Sequence, residues 1–250
     1  MSEQESSTGA ESFEPSANGS GLTFDVARDL AEVEECWSLV YRSYIKAGLI
    51  EPNAERVHTV PQTISPGTLV AYGRIHDVIV STMTVYLDGP LGLPLDMVYK
   101  DELDQLRGEG RKLVELGLFA DRRQHLYRSI DAILELMRYC THYSVNEGHL
   151  DAVVGVNPRH VPFYVKLLGF EAIGETKTYE TVNDFPVVLL HLDWPKKTAM
   201  KRLPKGLAHL HEPAISPDYY ATRCVLTPER IAGTPVEKAV ERKSVALSAM

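Results

Sequence analysis

Apolar positions along the chain follow two periods in turn. Leu30, Val33, Trp37, Val40, Tyr41 and Tyr44 fall at helical spacing between Asp29 and Ala47, which predicts an amphipathic helix. Thr23 to Val26 ahead of it is a short β-rich run. Gly67 to Arg74 and Val78 to Leu87 are two more, divided by Ile75, His76 and Asp77, the outline of a hairpin. A short helix is expected from about Asp96 to Leu106 and a strand over Lys112 to Ala120. The next helix, Ser129 to Tyr143, carries Ile130, Ile133, Leu134, Met137 and Cys140 on one face. Leu150 to Val156 is apolar and β-branched, which suits an interior parallel strand. Together these make a βαβ unit with a right-handed crossover. Glu171 to Tyr179 and Pro186 to Asp193 close the pattern as strands joined at Val182, Asn183 and Asp184.

Asp151 to Phe170 is the best-marked passage. Its strand runs into a helix whose start has Asn157 as cap and Pro158 in the first turn, where a missing N–H is harmless. Gly169 supplies the left-handed closing residue, and Phe170 is expected to contact Val165 in a Schellman-type end. A strand end facing a capped helix start is where open α/β sheets hold ligands.

Composition changes this picture mainly at the ends. Residues 1–20 hold Glu3, Glu5, Glu11 and Glu14 and no base, so a disordered leader is expected. Residues 196–250 hold ten Lys and Arg against five acids. They are expected to form a basic tail after a linker at Pro195, with a helix from the capping box Thr234, Pro235 and Glu237 to about Ser244. That leaves 21–195 as one α/β domain, whose 44% hydrophobic content overall supports a substantial core. The net charge of −8 with an acidic middle argues against nucleic acid as partner. No transmembrane segment and no signal peptide are expected, and a cytoplasmic location is the default. Cys36, Cys140 and Cys224 are too scattered for a disulfide framework, and His209 with His211 is too isolated for a metal site.

Chemistry concentrates around Glu115, a carboxylate inside the apolar run Leu113 to Phe119. Such a group must be paired, hydrated or used. An ion pair with Arg111 is the structural reading and catalysis the functional one. Arg122, Arg123, His125 and Arg128 follow the strand, near Arg159 in the inferred fold; they form either a phosphate- and acid-binding cluster or a solvated basic surface. The stiff loop Asp88-Gly-Pro-Leu-Gly-Leu-Pro opens a long insertion, the kind that often carries function. Tyr41, Arg42 and Tyr44 are candidates to line a pocket.

These residues support a resemblance. Asn157-Pro-Arg-His-Val-Pro-Phe-Tyr followed by Val165-Lys-Leu-Leu-Gly-Phe resembles the second half of the GNAT acyltransferase core, with His160 at a position usually held by alanine. Together with the Asp88 loop, Glu115-Leu-Gly-Leu-Phe-Ala-Asp and Val182-Asn-Asp-Phe-Pro-Val-Val-Leu-Leu, it resembles the FeeM-type long-chain N-acyl amino acid synthases, relatives of the acyl-homoserine-lactone synthases. The resemblance covers about residues 22–194. It implies an α/β, GNAT-like mixed twisted sheet with helices on both faces, here with a C-terminal extension. It also implies acyl transfer from an acyl-phosphopantetheine thioester, normally on acyl carrier protein, to an amino acid, with no permanently bound cofactor. Glu115 would then take the amine's proton, backbone N–H groups of Leu118, Phe119 and Ala120 would hold the thioester oxygen, and Tyr164 would protonate the leaving thiolate. Arg122, Arg123, His125, Arg128, Asn157, Arg159 and His160 are the candidates for the pantetheine and carrier contacts; Tyr41, Arg42 and Arg74 are those for the acceptor. Asn157 as a simple helix cap and Tyr164 as a packing residue are the structural alternatives.

Two departures refine the expectation. Coenzyme A-dependent GNAT enzymes place a glycine-rich loop after the central strand, whereas this chain has no glycine between Gly117 and Gly148, which removes the usual backbone cradle for a pyrophosphate. Homoserine-lactone synthases have arginine where this chain has Leu118, which argues against S-adenosylmethionine as acceptor. An acyl-coenzyme A-dependent N-acyltransferase and an inactive GNAT-like binding module are the alternatives.

Overall fold

The computed structural model describes residues 17–18, 21–122, 126–179 and 182–248. Among them the strands are β1 (Ala17–Asn18), β2 (Leu22–Val26), β3 (Thr68–Ile75), β4 (Val78–Leu87), β5 (Leu113–Asp121), β6 (Asp151–Val156), β7 (Glu171–Ala172), β8 (Lys177–Tyr179) and β9 (Phe185–Asp193). They form one sheet in the order β1-β2-β3-β4-β5-β6-β9-β7, with β8 also on β9. Only β5 and β6 pair in parallel, and the helix that joins them is α3 (Leu126–Asn146) once α1 (Leu30–Lys46) and α2 (Asp96–Gly108) are counted. This is the expected mixed sheet with its βαβ unit.

Local chemistry accounts for the boundaries. Asp29 caps α1 by accepting from Glu32 N–H. The β3–β4 turn puts His76 at φ 50°, and Asn183 and Asp184 take φ 52° and 55° in the turn before β9, conformations that short polar side chains tolerate best. The strand expected over Glu171 to Tyr179 is broken into β7 and β8. Gly174 lies between them, and a Cβ there would sit 2.8 Å from Tyr99 Cε1, so the tyrosine ring of α2 occupies the space a regular strand residue would need.

The sheet is covered on both faces. Tyr139, Cys140 and Tyr143 of α3 pack on one side with Val114, Leu116, Val154 and Phe170. Trp37 and Val40 of α1 and Tyr99 and Leu103 of α2 pack on the other with Leu113, Leu118 and Val153. All three cysteines are buried and free.

The C-terminal segment is part of this core rather than an appendage. After α4 (Val161–Phe163) come α5 (Trp194–Thr198), α6 (Lys205–His211), α7 (Pro228–Ile231) and α8 (Pro235–Ser248). Leu207, Leu210 and Tyr220 join the α3 side, and Leu226, Ile231, Val236 and Ala239 join the α1 side. Between them the chain passes β2, where Cys224 N–H donates to Ala27 O at 2.7 Å and Arg28 donates to Tyr219 O at 2.7 Å. Thr234 and Glu237 cap α8 reciprocally: Gly233 N–H donates to Glu237 Oε2 at 2.7 Å, and Glu237 N–H to Thr234 Oγ1 at 3.4 Å. Of the expected leader, Ala17 and Asn18 pair with β2; the other residues before Gly21 lie outside the described residues.

Candidate active site

β5 carries a register change that shapes the site. Thr84 lies opposite Gly117 and Thr82 opposite Ala120, so β5 spends one residue more than β4 over the same span, a β-bulge. Side-chain parity shifts accordingly. Val114 and Leu116 face α3, whereas after the bulge Leu118 and Ala120 face α1. Leu118 takes φ 46° to achieve this, a left-handed conformation that costs a branched residue about 1–2 kcal/mol. On the other edge, β5 pairs with β6 only through Leu113, Val114 and Glu115. Past Glu115 the two strands part.

Two cavities flank this opening. The first, about 110 Å³, is lined by residues that include Glu115, His58, Tyr86, Leu95, Tyr179 and Lys243. The second, about 100 Å³, includes Phe119, Met137 and Tyr164. Tyr44, Leu116, Gly117, Leu118 and Gly155 line both, so the parted strands form a shared wall between them.

Glu115 is only 6% exposed. Its Oε2 accepts from Leu95 N–H at 2.8 Å, a bond that the Asp88 loop provides. Arg107 ties Asp88 at 2.6 Å and Asp96 at 2.7 Å, which fixes the loop that presents Leu95. Burial pushes the Glu115 carboxyl up to about 8, against the pull of the Leu95 N–H, with the Asp96 and Asp88 charges pushing the same way. Arg111 is not its partner. That guanidinium lies at the start of β5, 2.7 Å from Asp151 and 2.8 Å from Asp193, so the ion pair expected as the structural reading is absent.

Tyr164 stands on the far side of the opening. The segment expected as one helix is composite: Pro158–His160 is 3-10, α4 spans Val161–Phe163, and Tyr164–Leu168 is a π-turn. Pro162 has no N–H to continue a regular ladder. Gly169 closes the segment at φ 79°. Phe170 N–H returns to Tyr164 O at 3.2 Å, and the two rings meet edge to face at 5.6 Å. The Schellman-type contact therefore falls on Tyr164 instead of the expected Val165, which is 38% exposed. Burial and Tyr44 raise the Tyr164 hydroxyl well above the ordinary tyrosine value, so it stays protonated.

The remaining candidates separate. Leu118 lines both cavities and Phe119 the second; Ala120 lines neither. Asn157 Oδ1 accepts from Arg159 N–H at 3.2 Å, the geometry of a helix cap. His160 is exposed, with Nε2 3.0 Å from Arg159 Nε, so it is paired to the arginine and not to Tyr164. Arg122 and Arg159 are exposed. Arg123, His125 and the side chain of Arg128 lie outside the described residues. The structure does not bring Tyr41, Arg42 or Arg74 to either cavity. The Tyr41 hydroxyl bonds the Asn53 backbone, Arg42 is exposed, and Arg74 pairs with Glu32 at 3.0 Å toward the opposite end of β3. In their place stand residues the sequence did not single out. His58 is buried and pushed down to about 3 by desolvation and by Lys243 and Arg242, hence neutral. Tyr179 donates to Pro94 O at 3.2 Å, and Lys243 arrives from α8.

The family model for the N-acyl amino acid synthase FeeM matches residues 35–193. The chain belongs to the FeeM family of N-acyl amino acid synthases. It is an acyltransferase, and its reaction is N-acylation. The structure of FeeM, an N-acyl amino acid synthase from uncultured soil microbes, superposes with a TM-score of 0.60 at 24% identity, over 70% of this chain and 91% of that one. The acyl-homoserine-lactone synthase LasI follows at 0.54 and 14%, over 79% and 98%. The coenzyme A-dependent homoserine-lactone synthase BjaI, with SAM and isopentyl-CoA, gives 0.52 and 11%, over 80% and 98%. These likenesses establish a GNAT-like fold for this FeeM-family chain. No curated protein matches it in sequence. Among the described residues no helix is long and apolar enough to cross a membrane.

Proposed function

We propose that this FeeM-family chain moves a long-chain acyl group from an acyl carrier protein thioester to the amino group of an amino acid. The observation that carries the reading is Glu115: a buried carboxyl, without a cation partner among the described residues, held near 8 at the mouth of a strand opening. An ammonium group cannot attack. Glu115, once ionised, takes its proton directly or through a water, and the neutral nitrogen adds to the thioester carbon. The oxyanion is held by backbone N–H groups of the bulge around Leu118 and Phe119. When the tetrahedral intermediate collapses, the C–N bond remains, the C–S bond breaks, the thiolate takes a proton from Tyr164, and the second proton leaving the nitrogen returns through water to the tyrosine hydroxyl.

Carrier protein is favoured over coenzyme A because the segment after β5 lacks the glycines of a pyrophosphate loop. Arg122 and Arg159, exposed beside the opening's strands, fit one phosphate and an acidic carrier surface. The homoserine-lactone relatives keep the coenzyme A reading in view, since BjaI is described as coenzyme A-dependent. Purified protein assayed with one acyl chain on carrier protein and on coenzyme A decides between them. Much higher kcat/KM with the carrier thioester is expected; equal or better use of the coenzyme A thioester contradicts the carrier reading.

A further inference from the structure

An amino acid differs from a simple amine by a carboxylate, and burying that charge without a counterion costs several kcal/mol. The first cavity must therefore offer a cation if it takes amino acids. Its acidic side is plain, with Glu115 in the wall and Asp88 and Asp96 close enough to raise it. Among the described residues that line it, Lys243 is the one Lys or Arg. It belongs to α8, outside residues 35–193 that the family model matches.

The setting of Lys243 is that of a cation without a counterion. It is half-buried, and its neighbour Arg242 takes the nearby carboxylate, with Nη2 3.3 Å from Glu55 Oε2. Among the described residues Lys243 has no ion-pair partner. His58 does not compete for the role, because its own burial, with the charges of Lys243 and Arg242 added, keeps that ring neutral. Desolvation lowers the Lys243 ammonium somewhat, which is the cost a bound carboxylate would relieve. The α8 helix is fixed where it needs to be: Val236, Ala239 and Val240 are buried in the core, and Ile231 of α7 is buried with them.

We propose that Lys243 binds the carboxylate of the acceptor amino acid, so that the C-terminal segment, and not Arg42 or Arg74, sets the preference for amino acids over amines. This rests on the amino-acid reading above. Glu115 would face the amino group and Lys243 the carboxylate of one small molecule lying across the cavity.

The test is a selectivity ratio. Acylation of phenylalanine and leucine is compared with that of phenethylamine and 3-methylbutylamine, all with one acyl carrier protein thioester. The kcat/KM ratio of amino acid to amine is expected to be well above one in the unmodified protein. It should fall about tenfold to a hundredfold in Lys243→Met, and Lys243→Arg should restore most of it. A purely structural loss lowers both rates and leaves the ratio alone. An unchanged ratio in Lys243→Met, or a ratio near one in the unmodified protein, overturns the assignment while amino-acid acylation stands. No turnover of either amino acid beside turnover of amines overturns the amino-acid reading itself, and this assignment with it.

Discussion

Replacing Glu115 with glutamine separates the charge of this side chain from its packing. The carboxyl titrates near 8 in the folded protein against an ordinary 4.5. Because the folded value is the higher one, the unfolded chain gives up its proton first. Folding stability is therefore full below 4.5, falls as pH rises from there, and stops falling above about 8. At about 1.4 kcal/mol per pH unit, the cost is on the order of 3 kcal/mol near pH 7 and roughly 5 kcal/mol near pH 9. Glutamine carries no charge, and its carbonyl oxygen still accepts the Leu95 N–H. The variant is thus expected to be the more stable protein in alkaline buffer, with its advantage growing by a few kcal/mol between about pH 5 and about pH 9. Urea unfolding followed by the fluorescence of Trp37 and Trp194 measures this directly. Acyl transfer should move the other way, falling roughly a hundredfold or more with the loss of a positioned base, and the rise of kcat/KM through about pH 8 should disappear. A stability gap that does not widen with pH would deny the buried charge its cost, and turnover close to the unmodified protein at pH 8 would deny Glu115 its role as base.

Other consequences follow from the same geometry. Tyr164→Phe is expected to lower kcat about tenfold to a hundredfold with carrier thioesters, and less so with an activated thioester whose thiol leaves without a proton; equal losses with both donors would deny the hydroxyl its role. In Gly155→Ala the new Cβ would lie 2.5 Å from Leu95 Cδ2 and 3.0 Å from Val187 Cγ2. Leu95 must give way, the N–H bond to Glu115 weakens, and the pH–rate limb should move up by as much as about one unit; a limb that stays in place would mean that this bond does not tune the carboxyl. Arg159→Glu and Arg122→Glu should raise KM for acyl carrier protein several-fold at low salt, with the difference shrinking as ionic strength rises. A salt-independent KM in the unmodified protein would count against a charge-steered carrier.

What the sequence disclosed and what it hid follow a physical line. Periodicity and caps are local, so α1, the β3–β4 hairpin and the β5–α3–β6 unit were readable from Leu30 to Val156. Glu115 stood out because a carboxylate within an apolar strand breaks a pattern. Its partner was not readable, since Leu95 N–H comes from a loop held by Arg107, three contacts that meet only in space. Arg111, adjacent in sequence, instead serves Asp151 and Asp193 from the neighbouring strands. Tyr44 was one of three candidates on α1; the helix turns it to the cavities and leaves Tyr41 on Asn53. The bulge at Leu118 left no signal, because leucine is an unusual choice for a positive φ. Lys243 looked like one more base in a charged tail. The apolar stripe Val236, Ala239 and Val240 on its helix was the available hint that this segment docks.

In the proposed reaction an amino acid's nitrogen receives the acyl group. Purified protein incubated with acyl carrier protein thioester and nitrogen-labelled amino acids, followed by mass spectrometry of the lipid extract, tests it most directly. An N-acyl amino acid whose amide carries the label is expected, and its loss in Glu115→Gln. Free fatty acid as the only product, or acylated amines in place of amino acids, would contradict it.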